Sequence, residues 1–202
     1  MAKKTNYLQN ETSGKLEGST PYPFSKPRDL TAEETEAIQR YVGEEYQDIN
    51  EGLRANQEDE IRELFDLETL DSAVGSQTAL NDMFVYRGIS PEFAEQLKKG
   101  TSFVDKGYLS TSLTIAGMQQ AVGELDDQTV LMEIRIPKGT KLLDIGRARM
   151  SEDKRIPNTT KAEAEILFSR NGKLLIGGTV IRNDMGGRKI LKATLLERPT
   201  TI

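Results

Sequence analysis

The apolar pattern of this 202-residue sequence changes its period at about residue 83. Before that point, apolar residues recur three and four positions apart, as Ile49 and Leu53 do, which is the spacing of one helix face. After it, short runs alternate apolar and polar residues in the manner of strands. Helices followed by strands predict an α+β fold with an N-terminal helical layer, not alternating βαβ units.

Local signals divide the chain into predicted elements. Thr31 and Glu34 have the spacing of a capping box at a helix start, and Gly43 interrupts the helical pattern that follows. Pro91 and Gly100 have the positions expected at the beginning and after the end of a short helix. Helices are predicted at 31–42, 44–55, 58–74, 92–98 and 115–122. Strands are predicted at 83–87, 108–112, 129–136 (half-buried), 141–145, 161–168, 174–181 and 188–196, the last two joined by a turn at 183–187.

Composition restricts the chemistry. The sequence has no Cys and no His, which excludes thiolate catalysis, His-based triads and the usual zinc sites. Its net charge of −5 argues against a surface that coats nucleic acid. No run approaches the ~18 apolar residues of a membrane span. We therefore expect no nucleic-acid partner and no membrane partner. The protein is expected to be a monomer.

The first 20 residues are polar and small, so they are predicted to be a flexible leader to a single domain at 21–202. The N-terminus lacks the apolar core of a secretory signal. Secretion or injection by another route and an intracellular location both stay open.

Two glutamates stand one residue apart in the predicted strand 161–168. Alternation along a strand would put Glu163 and Glu165 on one face, ~7 Å apart, with Ala164 turned into the sheet. A solvated face is the ordinary explanation of such a pair on its own, since Glu58 and Glu60 repeat the same spacing in a polar helical segment to which no function is assigned. Before the pair, residues 146–160 show neither period, and a loop of that length is usually functional or disordered.

Three strand-like pieces carry polar residues that a sheet does not need for its own stability. They are Tyr86-Arg87-Gly88, Ser110-Thr111-Ser112 and the Glu163/Glu165 pair. In this order they resemble the arginine, serine-threonine-serine, glutamate class of mono-ADP-ribosyltransferases, especially the enzymatic components of clostridial-type binary toxins and insecticidal toxins. Residues 70–73, 136–139 and 193–196 are similar to family segments in the same order.

The resemblance implies a fold and a role for each motif. The fold would have a mixed, mostly antiparallel two-sheet β core after the helical layer. Arg87 would clamp the phosphates and ribose of NAD, because a guanidinium meets phosphate oxygens bidentately. Ser110 would hold Glu165, and Glu165 would stabilise the oxocarbenium-like cation formed as nicotinamide leaves. Glu163 would face the acceptor, since an arginine attacks only if a carboxylate orients it and takes a proton.

The resemblance also implies supporting contacts. Thr111 and Ser112 would support the strand, and Gly88 belongs to the NAD-binding motif. Residues 114–127 would lie near the phosphates and nicotinamide, and loop 146–160 would recognise the protein substrate. Three helical residues have the spacing of the family's cover over the nicotinamide half, although helix packing explains them equally well: Tyr41, Tyr46 and Asn50.

Two residues depart from the family pattern. Gly107 stands where close relatives have asparagine, and Glu133 stands where they have a phosphate-binding arginine. Because a glutamate cannot take that role, there are two alternatives. Either Arg135, which shares its predicted face, is the substitute, or the NAD contacts differ locally and NAD binds more weakly.

The resemblance therefore implies an NAD-dependent mono-ADP-ribosyltransferase that modifies an arginine of a target protein, a toxin or effector that needs no metal. Glutamate at the position of Glu163 goes with arginine acceptors in this family, whereas glutamine goes with others. Hydrolysis of NAD by water is expected as a side activity. The alternatives are a glycoside hydrolase using the paired glutamates and a non-catalytic binding module on the same fold.

Overall fold

The computed structural model describes residues 22–122, 129–148, 164–182 and 188–196. The predicted leader and the turn at 183–187 lie outside these residues, as does most of loop 146–160. Six α-helices are present in the described part of the chain: α1 (Ala32–Arg40), α2 (Tyr46–Arg54), α3 (Glu58–Leu64), α4 (Leu67–Val74), α5 (Pro91–Gln96) and α6 (Ile115–Val122). No helix of these segments is long and apolar enough to span a membrane.

The helical layer follows the sequence signals at its start and departs from them later. The capping box is complete at Thr31 and Glu34, and a wide π-type turn with a non-helical Gly43 separates α1 from α2. The single helix predicted at 58–74 is wrong. It breaks at Phe65, whose backbone is extended, and α4 begins anew because Asp66 caps it by accepting a hydrogen bond from the Thr69 backbone N–H.

Glu34 joins three parts of this layer. Its carboxylate accepts hydrogen bonds from the Arg28 guanidinium, from the Ser72 hydroxyl on α4 at 2.6 Å and from the Thr31 N–H at 2.9 Å. These donors, the Arg28 guanidinium first, lower the pKa of Glu34 from 4.5 to about 2. The stability that Glu34 contributes is therefore present above pH 4.5 and is lost as the pH falls through about 2.

Glu34→Gln is expected to lower the free energy of unfolding at pH 7 by about 1–3 kcal/mol, because it removes charge-assisted hydrogen bonds. The difference from the wild type should shrink towards pH 2, where the wild-type carboxyl becomes protonated in the folded state as well. Urea unfolding at both pH values measures this, with the exposed Glu36→Gln on the same helix as the control. An equal loss at both pH values would contradict the assignment.

Nine strands form the β core of the described residues: β1 (Gln77–Thr78), β2 (Met83–Ile89), β3 (Ser102–Asp105), β4 (Leu109–Ser112), β5 (Val130–Ile136), β6 (Lys141–Asp144), β7 (Glu165–Phe168), β8 (Gly172–Arg182) and β9 (Arg188–Leu196). Sequence reasoning missed β1, which has two residues, and β3, whose residues show no clear alternation. It also extended α5 by two residues; the backbone already leaves the helix at Leu97.

The strands hydrogen-bond in the order β1-β6-β7-β4-β2-β5-β9-β8-β3. The β5–β9 pair is parallel and the other pairs are antiparallel, so the predicted mixed, mostly antiparallel core is confirmed. Between β2 and β4 the register has one pair, Tyr86 with Ser112. This junction, which we call the seam, divides the order into a group of four strands and a group of five.

Both groups contribute to one apolar core, which accounts for the two-sheet character expected of the fold. Leu109, Ile166 and Phe168 from the four-stranded group pack with Val85 and Ile134 from the five-stranded group. A second cluster joins the helical layer to the outside of the four-stranded group, where it includes Leu143 and Leu167.

The prediction that β5 is half-buried is wrong, because both its faces are covered. Leu131 and Ile134 are fully buried, and Glu133 is 5% exposed. β5 lies between β2 and β9, and Met118 of α6 packs over Leu131.

Candidate active site

An open cleft lies at the seam between the two groups of strands. Its volume is about 210 Å³. The residues that line it are Tyr86, Arg87 and Gly88 of β2, Ser110, Thr111 and Ser112 of β4, Met118 and Ala121 of α6, and Glu165 of β7. The first two motifs singled out in the sequence and Glu165 of the third thus meet at one place, although they are far apart along the chain.

Strands β4 and β7 hold Glu165 in a fixed position. β7 pairs with β4 so that Glu165 lies opposite Ser112. The Ser110 hydroxyl donates a hydrogen bond to Glu165 Oε1 at 2.6 Å, as the resemblance implied. Thr111 donates to the Ile166 carbonyl at 3.0 Å, which ties the two strands together beside the carboxylate. Ser112 accepts a hydrogen bond from the Thr114 N–H just before α6.

The strand carrying the glutamates begins later than predicted. Ala164 has φ of +48°, a left-handed conformation outside a strand, and β7 starts at Glu165. The argument that strand alternation places Glu163 and Glu165 on one face is therefore wrong at Ala164. Glu163 itself lies outside the described residues.

Arg87 lies in the cleft with its side chain partly buried, 26% of it being exposed. Its Nη1 donates to Asp105 Oδ2 at 3.3 Å. Asp105 also accepts two hydrogen bonds from Arg54 of α2, one from Nε at 2.9 Å and one from Nη2 at 3.1 Å. Burial lowers the pKa of Arg87, and the Asp105 carboxylate acts against that shift. Arginine titrates so high that Arg87 remains a cation at neutral pH.

The three helical residues predicted to cover nicotinamide do not line the cleft. Tyr41 is buried, and its ring packs edge-to-face on Tyr108 with centroids 5.4 Å apart. Asn50 donates to the Tyr41 hydroxyl at 2.8 Å and accepts from the Tyr108 N–H at 2.7 Å. Tyr46 is 51% exposed at the start of α2. Helix packing, the alternative reading, accounts for Tyr41 and Asn50 in this structure.

The glycine at position 107 is explained by the closeness of α2. A Cβ there would lie 2.6 Å from Asn50 Oδ1 and 3.1 Å from Arg54 Nη2. Both atoms are held by hydrogen bonds, to the Tyr108 N–H and to Asp105. A side chain at this position would push the helix away from the β core.

Gly107→Ala is therefore expected to lower the free energy of unfolding by about 1–3 kcal/mol, the usual range for an overpacked site. Urea denaturation followed by far-UV circular dichroism measures it. Gly75→Ala is the matched control, because its Cβ would meet ordinary contacts at 3.4 Å and beyond. If the two variants had the same free energy of unfolding, α2 would be able to move away from residue 107 without loss of stability.

Glu133, the second departure from the family pattern, has a partner of opposite charge nearby. Glu133 is buried and forms an ion pair with Lys192, which lies opposite it on β9. Arg135 pairs instead with Asp82 at 2.5 Å, with its side chain 41% exposed, and it does not line the cleft. The expectation that Arg135 replaces the missing arginine is not supported by its placement.

Three residues beside the cleft carried no motif in the sequence. Met118 and Ala121 come from α6, within the segment expected near the phosphates and nicotinamide. Asp105 ends a strand that the apolar pattern did not reveal. The one available signal was that a partly buried arginine needs a negative charge nearby, and this does not say which of the 32 acidic residues supplies that charge.

A family model described as ADP-ribosyltransferase exoenzyme matches residues 10–198. The chain belongs to this family. It is therefore a mono-ADP-ribosyltransferase of the toxin type, with NAD as its co-substrate. No curated protein matches the sequence significantly.

Several solved structures share the fold at low identity. C3stau2 from S. aureus, solved with NAD, is 18% identical with a TM-score of 0.63, over 83% of this chain and 88% of that one. Plx2a, an ADP-ribosyltransferase toxin from Paenibacillus larvae, is 24% identical with a TM-score of 0.60, over 83% and 88%. The ADP-ribosyltransferase Vis in complex with agmatine is 21% identical with a TM-score of 0.60, over 88% and 80%.

The cleft suits part of an NAD molecule. Its volume of about 210 Å³ is below the ~300–1,000 Å³ of typical ligand pockets, so the remainder of the dinucleotide would extend over the open rim. Arg87 offers a partly buried cation for phosphate, and the hydroxyls of Ser110, Thr111 and Ser112 with the Glu165 carboxylate offer partners for ribose hydroxyls.

Proposed function

We propose that this enzyme transfers ADP-ribose from NAD to an arginine side chain of a target protein, with Glu165 acting at the ribose and Glu163 at the acceptor. The observation that carries the proposal is the meeting of Arg87, the three hydroxyl residues 110–112 and Glu165 at one cleft, with the Ser110 hydroxyl 2.6 Å from Glu165 Oε1. An ordinary sheet has no need to collect an arginine, three hydroxyls and a carboxylate at one seam.

The residues of the cleft have separate tasks in this proposal. NAD supplies the ADP-ribosyl group and a nicotinamide leaving group, whose departure leaves positive charge on the ribose. Arg87 binds the phosphates and so orients the ribose towards β7. Glu165 faces the developing charge, and Ser110 fixes the direction of its carboxylate. Such prearranged charge is usually the largest contribution to catalysis.

Arginine as acceptor is supported by the residue at position 163. A guanidinium is protonated at neutral pH, so it becomes a nucleophile only when a carboxylate orients it and accepts its proton. Glu163 stands two residues before Glu165 and next to the left-handed Ala164, where the chain enters β7. The complex of Vis with agmatine, a small guanidine, gives indirect support from a protein 21% identical to this one.

The test is an assay of the purified protein with NAD. We expect release of nicotinamide, slow in buffer and faster with agmatine, together with ADP-ribosylated agmatine detected by mass spectrometry. Because no metal has a part in the proposed reaction, EDTA should not change the rate. Mass spectrometry of a cell lysate incubated with labelled NAD would then identify the modified arginine and its protein.

The alternatives give different results in the same assay. A glycoside hydrolase or a non-catalytic module would release no nicotinamide at all. Nicotinamide release that agmatine does not accelerate, with no modified agmatine, would leave NAD hydrolysis standing and remove arginine as the acceptor.

A further inference from the structure

Asp105 is a buried carboxylate placed between two guanidinium groups at the edge of the cleft. It is 5% exposed, and it ends β3, an outer strand of the five-stranded group. Its Oδ1 accepts hydrogen bonds from Arg54 Nε at 2.9 Å and from the Gly107 N–H at 3.1 Å. Its Oδ2 accepts from Arg54 Nη2 at 3.1 Å and from Arg87 Nη1 at 3.3 Å.

The Arg54 guanidinium fixes the Asp105 carboxylate, and that carboxylate in turn orients the Arg87 guanidinium. Arg54 meets Asp105 with two parallel hydrogen bonds, the strongest geometry for such a pair. The Gly107 N–H then adds a backbone donor, so the carboxylate cannot rotate without losing several bonds. Arg87 donates to a carboxylate whose direction is already set by α2 and by the backbone between β3 and β4.

The charges of this network leave the cleft attractive to an anion. Two guanidiniums share one carboxylate, so a net positive charge remains after the pairing. A carboxylate that neutralised Arg87 completely would compete with phosphate, whereas none at all would leave the partly buried Arg87 guanidinium beside the Arg54 guanidinium with no charge between them. A shared carboxylate avoids both outcomes.

We propose that Asp105 is a positioning residue for NAD: it holds the Arg87 guanidinium in the orientation that receives the phosphates, and it acts only through Arg87. This inference rests on the proposed function, because it assumes that Arg87 binds NAD. An arginine side chain has several rotatable bonds, and ordering it in advance reduces the entropy lost when the ligand binds.

The experiment compares the KM for NAD and kcat of nicotinamide release in Asp105→Asn and the wild type. Asn keeps the shape and the acceptor for the Gly107 N–H but removes the charge. We expect the KM for NAD to rise on the order of tenfold, as for loss of a charged hydrogen bond, with a smaller change in kcat.

Two further variants separate positioning from a purely structural role. Asp105→Glu keeps the charge at a shifted place, so its KM should lie between those of the wild type and Asp105→Asn. Asp71→Asn is the matched control, because Asp71 also pairs with a buried arginine, Arg170, away from the cleft. It should lose stability and keep the wild-type KM.

A double-mutant cycle tests whether Asp105 acts through Arg87. In the Arg87→Lys background, Asp105→Asn should raise the dissociation constant of NAD, measured by isothermal titration calorimetry, far less than it does alone. Full additivity of the two effects would overturn the proposal. If Asp105→Asn does not fold, an unchanged KM in folded Asp105→Glu would overturn it equally.

The results for the wild type keep this inference distinct from the proposed function. Wild-type release of nicotinamide with an unchanged KM in Asp105→Asn removes the positioning role and leaves the enzyme activity in place. A wild type that releases no nicotinamide removes both.

Discussion

Glu165→Gln is expected to abolish both nicotinamide release and transfer to arginine, lowering kcat by on the order of 10²–10³ or more. The amide has nearly the shape of the carboxylate and can still accept the hydrogen bond that Ser110 donates at 2.6 Å. What disappears is the negative charge facing the ribose as positive charge develops there. Nicotinamide release, followed by chromatography at saturating NAD, measures the effect.

The fold of this variant should be unchanged, because Glu165 begins β7 at the rim of the cleft, and the apolar residues after it, Ile166, Leu167 and Phe168, form the core contacts. Glu36→Gln, an exposed glutamate on α1, serves as the control and should keep full activity. A folded Glu165→Gln that released nicotinamide at a substantial fraction of the wild-type rate would show that the mechanism is wrong.

Glu163→Gln is expected to separate the two proposed reactions, transfer of ADP-ribose to a guanidine and hydrolysis of NAD. Transfer to agmatine should fall by on the order of 10²–10⁴, the usual contribution of a positioned general base. Hydrolysis of NAD by water should persist, because Glu165 and Arg87, which are proposed to act on NAD itself, are intact. Parallel assays of nicotinamide release and of labelled agmatine measure the two activities.

This division of labour can fail in two ways. If hydrolysis and transfer fell together in Glu163→Gln, Glu163 would belong to the NAD site. If transfer to agmatine were kept in full, the acceptor would be held by another residue. Glu163→Gln should bind NAD with the same dissociation constant as the wild type. Isothermal titration calorimetry measures this constant independently of the activity assays.

The sequence predicted the parts of the fold that local signals specify. The Thr31–Glu34 capping box and the break at Gly43 both appear in the structure, because each depends on a few neighbouring residues. The break at Phe65 was missed because the apolar spacing of 58–74 continues through it. β3 was missed because Val104 of this outer strand is 43% exposed, and the usual apolar contrast is absent.

The site was predictable wherever a motif marked it. Arg87, Ser110 and Glu165 were found by resemblance, and the fold brings them together. Asp105 was not found, because what distinguishes it is its contact with two arginines, one on α2 and one on β2. These contacts are made between distant parts of the chain, so no sequence spacing predicts them. Tyr46 and Arg135 were placed at the site by analogy, yet one is exposed on α2 and the other pairs with Asp82.

The seam between β2 and β4 has a consequence for how the protein becomes active. Arg87 belongs to the five-stranded group, whereas Ser110 and Glu165 belong to the four-stranded group, and the register joins the groups through the Tyr86–Ser112 pair. Separation of the groups would leave each with its own strand pairs but would part Arg87 from Ser110 and Glu165. The cleft therefore exists only where the two groups are docked, and a change that opened the seam would dismantle the cleft while leaving the strand pairing inside each group in place.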